Sequence, residues 1–246
     1  MTREFGDLDL DNTDRGDAVY FDLLGLRMVH YPARLVIPLA AFIVLFFLGV
    51  VAMGVRKGQL VLRGMGLGFL ALLSSTVCAA LTARLAWLIS GSPSSRTNAG
   101  SHSRDFLLLG FAALTIAVVF VVYRWFVRRV SLQDLAIGGL LYWLILVLLT
   151  AVYLPGASYL FAWPLLFSLL PFGLLFASTS RGADSPGFFG LLSLSSIPGV
   201  ILILPVIYTL SLSIGLRLPE ALMMLLTLLI GPLIPYLSLL TVKRKT

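Results

Sequence analysis

Residues 33–55 read ARLVIPLAAFIVLFFLGVVAMGV, and this run decides the class of molecule. Its one charge, Arg34, lies at the start. About 20 apolar residues at ~1.5 Å rise each cross a hydrocarbon core ~30 Å thick, so the run is long enough to span a bilayer. Comparable runs recur at 64–90, 105–123, 132–154, 159–178, 188–214 and 218–241, which gives about seven spans. Of the 246 residues, 59% are apolar and 12% charged, and the mean hydropathy is +1.01. Soluble domains carry about twice that share of charge. Long unbroken runs, rather than two-residue alternation, favour helices over a barrel. The expected fold is therefore all-α, a polytopic transmembrane helical bundle.

Helix-start chemistry marks the boundaries. Pro32 precedes the first span, Ser131-Leu-Gln-Asp134 has the form of a capping box, and Ser185-Pro186 places an N-cap before a first-turn proline. Pro219-Glu220 sets a rigid residue and an anion at the positive end of the last helix. Pro198 and Pro205 are expected to kink the sixth span.

The net charge of +7 does not form a phosphate-binding stripe. Its arginines and lysines fall in short clusters between apolar runs, so lipid is the expected partner and nucleic acid is not. Seven spans place the two ends on opposite sides. Arg56, Lys57, Arg63, Arg124, Arg128, Arg129, Arg181 and Lys243-Arg-Lys245 share one side, and Arg3, Arg15, Arg27, Arg96, Arg104 and Arg217 the other. Dense clusters in short loops mark the cytoplasmic face. The N-terminus is thus expected outside or in a lumen, and the C-terminus in the cytoplasm. Residues 1–18 form an acidic tail, expected to be mobile: seven of the chain's eleven acids lie within its first 22 residues. The span region is 33–242, and the basic end 243–246 would rest on anionic lipid. Cys78, alone, permits no disulfide within the chain.

Between tail and first span, residues 19–32 are too polar and too short to cross. Val19, Phe21 and Leu23 alternate with Tyr20, Asp22 and Leu24, and Leu26, Val29 and Tyr31 continue an irregular apolar face. Such amphipathic aromatics suit the headgroup layer, and an interfacial segment is expected. The run Asp17-Ala-Val-Tyr20-Phe21-Asp22-Leu-Leu-Gly25, followed by Val29 and Tyr31-Pro32, resembles the start of a known membrane region. It is the C-terminal region of the endoplasmic reticulum metallopeptidase and vacuolar membrane protease group of metallopeptidase family 28, which has bacterial relatives. The motif covers about a tenth of the chain. The resemblance implies a di-zinc aminopeptidase-like domain on the outer or lumenal side, joined here to a bundle that anchors and orients it and helps present membrane-proximal peptide. Zinc would belong to that domain, in cis or as a separate chain. Within this chain only His30 and His102 exist, with no Glu-rich spacing around them, so neither a catalytic residue nor a zinc ligand is assigned.

Inside the spans, Arg84 is the one charge deep in an apolar run; it either snorkels outward or joins a buried polar site. No Asp or Glu is expected at mid-bilayer, which disfavours a proton-coupled transporter. Gly64 and Gly68 have the small-xxx-small spacing of close helix packing, and Gly138-Gly139 reads likewise. Proline pairs in the last three spans (164 and 171, 198 and 205, 232 and 235), with Ser168, Ser193, Ser195, Ser196 and Tyr208, allow either dry packing or a partly hydrated cavity. The alternative function is accordingly a stand-alone bundle that binds or transports a lipid or small apolar solute.

Overall fold

The computed structural model describes residues 18–23, 27–89, 101–177, 186–213 and 218–234. Outside them lie residues 1–17 of the acidic tail, residues 24–26, the loop 90–100, the linkers 178–185 and 214–217, and residues 235–246. Among the described residues, seven helices make the bundle: α1 (Val36–Arg56), α2 (Leu62–Ile89), α3 (Ser101–Val127), α4 (Leu132–Tyr153), α5 (Tyr159–Ala177), α6 (Pro186–Ser213) and α7 (Pro219–Ile230). Six of them, α1 to α6, are long and apolar enough to cross a membrane. α7 has 12 residues, and residues 235–241 of the seventh expected span lie outside the described residues.

The junction has a form the sequence reading did not assign. It is an antiparallel hairpin, β1 (Ala18–Leu23) with β2 (Arg27–Pro32), in a register that sets Ala18 opposite Pro32 and Leu23 opposite Arg27. The segment expected to be interfacial over 19–32 is thus a paired hairpin. The cause is visible in the alternation at 19–23, whose two-residue period suits a strand. From Pro32 the chain passes through one 3-10 turn, Ala33–Leu35, into α1. β1 lies against a second such turn, Pro155–Ala157, between α4 and α5.

In a membrane, apolar burial does not drive helices together, because acyl chains are as apolar as leucine; close packing does. α2 and α4 form the principal pair, with α7 and α3 also against α2, while α5 bridges α1, α4 and α6. Ile43, Phe47, Leu72, Leu140, Leu165 and Phe172 pack at the centre. Ile37, Phe42, Leu45 and Leu48 of α1, Leu109, Ile116, Phe120 and Val121 of α3, and Leu194, Ile197 and Leu204 of α6 point outward. Such a belt would be a liability in water and matches acyl chains in a bilayer. Buried hydroxyls are satisfied along their own helices: Ser75, Thr76, Thr115 and Thr227 each donate to the carbonyl four residues back, at 2.7–2.9 Å. These helices fit an integral membrane protein.

Candidate functional site

The crossing of α2 and α4 is closely packed around a buried polar group, the Asp134 carboxylate. Ser131 is extended (φ −63°, ψ 148°), and its Oγ accepts the Asp134 N–H at 3.1 Å, capping α4. The Asp134 carboxylate does not close a simple capping box. One oxygen accepts the Ser131 hydroxyl at 2.7 Å, and the other reaches across to accept the Val61 N–H at 2.8 Å, at the start of α2. A carboxylate only 4% exposed is thus tied to both helices.

Glycines make that approach possible. A Cβ on Gly64 would lie 2.5 Å from Asp134 Oδ2, and one on Gly68 would lie 2.8 Å from the Asp134 and Leu135 carbonyl oxygens. A Cβ on Gly138 would meet the Met65 carbonyl, and the Gly68 Cα at 2.7 Å. These contacts are within one chain, so Gly64 and Gly68 serve the packing of α2 on α4. Gly139, the neighbour, has only Leu72 within reach, at 3.9 Å.

Just before α2, α1 ends in a tight reversal. Gly58 has φ +68°, the Gln59 N–H donates to the Gly54 carbonyl at 2.9 Å, and the Gly58 N–H donates to Val55 at 3.0 Å. The two bonds form a Schellman cap. Lys57 Nζ then donates to the Ala177 carbonyl at the end of α5, at 3.2 Å. The ends of α1, α3 and α5 and the starts of α2 and α4 therefore sit together, which groups Arg56, Lys57, Arg63 and Arg129 at one end of the bundle. The hairpin and the Pro155–Ala157 turn lie at the other.

Arg84 is at that other end and does not stand alone. Its Nη1 is 3.6 Å from Glu220 Oε1, which joins α2 to the first turn of α7. Arg84 is 49% exposed and Glu220 27%. Glu220 Oε2 is buried without a hydrogen-bond partner.

Ser195 and Ser196 meet Ser168, Pro164, Gly199, Trp143 and Pro232 around a small cavity of about 20 Å³. That is room for about one water and not for an acyl chain or peptide. Both serine hydroxyls donate to the Leu192 carbonyl, at 2.8 and 3.1 Å. Trp143 stands edge-on to Phe161, and its indole nitrogen is buried without a partner. Tyr208 is not part of this cavity. It is exposed on an apolar groove of about 570 Å³ between α3, α6 and α7, beside Leu109, Ile207 and Met223.

Tyr20, Phe21, Asp22 and Tyr31 are placed by backbone register in the hairpin, with Tyr20 opposite His30 and Asp22 opposite Met28; Pro32 ends β2. Asp17 and Gly25 lie outside the described residues. Among the described residues no three of His, Cys, Asp and Glu gather as metal ligands would. What the sequence reading missed is the hairpin pairing, the bond from Asp134 to Val61 and the Arg84–Glu220 pair. For the last, only Glu220 at the start of its span gave a hint, since Arg84 reads as deep in an apolar run. Compared with family models, curated proteins and solved structures, the chain matches none.

Proposed function

We propose that this chain is a non-catalytic, seven-span membrane region that anchors and orients a body lying outside the membrane at its hairpin end. That body is a zinc peptidase-like domain, as the 17–25 motif and Tyr31-Pro32 suggest. The observation that carries the reading is the junction itself. A paired hairpin enters α1 after a single turn and rests on the Pro155–Ala157 turn, so the approach to the membrane is a folded element rather than a free leader. Through it, a domain joined upstream would be held at a fixed place over the bundle.

The proposed direction is hairpin end outward. Supporting it is the collection of Arg56, Lys57, Arg63 and Arg129 at the opposite end, next to short connections. In the alternative, the bundle binds or transports a lipid or small apolar solute through its proline-rich helices. The volume of about 20 Å³ at Ser195 and Ser196 weighs against a passage there.

The test is cysteine accessibility in a Cys78→Ala background. A cysteine at residue 10 should react with a membrane-impermeant maleimide in intact cells, and one at residue 244 only after permeabilisation. The reverse pattern overturns the reading. With the direction established, an external peptidase domain fused ahead of Asp17 should keep its activity and stay membrane-bound. Release from the membrane, or activity only when a long flexible linker replaces the hairpin, would refute the anchoring role.

A further inference from the structure

Where α2 begins and α3 ends, the bundle opens into a cleft of about 810 Å³, within the roughly 300–1,000 Å³ of small-molecule sites. Its mouth carries Arg63, in the first turn of α2, and Arg129, just beyond α3. The Arg129 guanidinium carbon lies over Trp125, 3.8 Å from the ring centroid, a cation–π contact that holds it at the mouth. One carboxylate, Asp134, lines the cleft, but its two oxygens already accept the Val61 N–H and the Ser131 hydroxyl. Among the described residues no acid lies within ion-pair distance of Arg63 or Arg129. Two cations with free donors therefore face one buried, occupied carboxylate.

Deeper in, the lining changes character. Leu67 and Leu70 form the wall, and Gly66 leaves it open, since a Cβ there would meet nothing within 4 Å. Leu70 is seven residues beyond Arg63, about 10 Å further along the helix at ~1.5 Å per residue. A cationic mouth at helix ends above an apolar slot of that depth matches an amphiphile with an anionic head. Trp125, half exposed beside the mouth, is of the type that settles at the headgroup layer.

We propose that this cleft binds an anionic phospholipid, with the phosphodiester between Arg63 and Arg129 and an acyl chain along Leu67 and Leu70. The site requires a membrane-embedded bundle but neither direction of insertion, so it stands or falls separately from the anchoring role. Arginine suits it, because the guanidinium fork holds two phosphate oxygens at once.

Native mass spectrometry of the full chain in detergent, titrated with phosphatidylglycerol or phosphatidylcholine, tests it. The wild type should retain phosphatidylglycerol selectively. Arg63→Gln and Arg129→Gln should each weaken that retention about fivefold, the ratio given by about 1 kcal/mol per base. The double variant should abolish selectivity, Arg63→Lys should recover part of it, and Arg34→Gln at the opposite end should change nothing. Equal retention of the two lipids by the wild type, or unaltered retention by the double variant, would overturn the proposal. So would displacement of the lipid by millimolar inorganic phosphate, which would make the cleft a plain anion site. A thermal melt of each variant without added lipid separates lost binding from lost folding: unchanged melting with lost retention is the supporting result.

Discussion

Gly68 and Gly138 stand so close that a methyl group on Gly138 would lie 2.7 Å from the Gly68 Cα. The other atoms it would meet, the Met65 carbonyl and the Phe69 nitrogen, are also backbone, so no side-chain rotation relieves the clash. Gly138→Ala should therefore push α2 from α4 and lower stability by about 1–3 kcal/mol. Gly139→Ala meets only a Leu72 methyl at 3.9 Å, and should be neutral or gain up to about 1 kcal/mol from helix propensity. Unfolding in mixed micelles, followed by circular dichroism, should rank the two this way; equal losses would mean that the helices do not cross here.

The Asp134 carboxylate acts on two helix starts, so its removal should cost more than loss of the cap alone. Asp134→Ala strands the Val61 N–H and should lower stability by about 1–3 kcal/mol. Ser131→Ala should cost about 1 kcal/mol. Since both belong to one network, the double variant should lose less than the sum of the two. Strict additivity in the same unfolding assay would contradict the shared network.

How far the sequence carried these features depends on whether each is local. The spans, the α4 cap and the small-residue faces follow from periodicity and spacing within one segment, and the ends of α4 and α5 lie within one residue of those read from the sequence. The partner of each face was not legible. Gly64 meets Asp134 and Gly138 meets Gly68, about 70 positions apart, and only the folded crossing decides that. Arg84 likewise meets Glu220 from the far end of the chain. The hairpin is a different case. Its period-two alternation stands in the sequence over 19–23, but the pairing partner, Arg27–Pro32, has no such regular pattern. Ser195 and Tyr208, grouped by their nearness in one helix, face different surroundings because they lie on different sides of α6.

Gly58 at φ +68° closes the Schellman cap between α1 and α2. A side chain in that left-handed conformation costs roughly 1 kcal/mol relative to glycine. Gly58→Ala should show that loss, although open space surrounds the position and no neighbour is struck. Gly58→Asn, which tolerates the conformation better, should recover part of it. An alanine variant as stable as the wild type would mean that the reversal has another backbone shape.

Across the bundle, the Arg84–Glu220 pair should respond unequally to the loss of each partner. Half-exposed Arg84 can extend toward headgroup water once Glu220 is gone, so Glu220→Gln should cost under about 0.5 kcal/mol. Arg84→Gln leaves a carboxylate whose Oε2 is already buried without a partner, and should cost about 1 kcal/mol. The double variant should then be more stable than Arg84→Gln alone. A double variant less stable than either single one would show that the two residues act through separate contacts.

The cavity beside Ser195 sets a size limit that a substitution can probe. Its volume of about 20 Å³ takes one water, and the Ser195 hydroxyl is already satisfied by the Leu192 carbonyl. Ser195→Ala removes a bond made within its own helix and should cost under about 1 kcal/mol. Ser195→Leu must fit a branched chain against Pro164 and Trp143, and overpacking of this kind costs about 1–3 kcal/mol. If the last three helices enclosed a hydrated passage instead, leucine would fill it with little penalty. A Ser195→Leu chain that unfolds at the same detergent fraction as Ser195→Ala would therefore reject the tight packing of α5, α6 and α7.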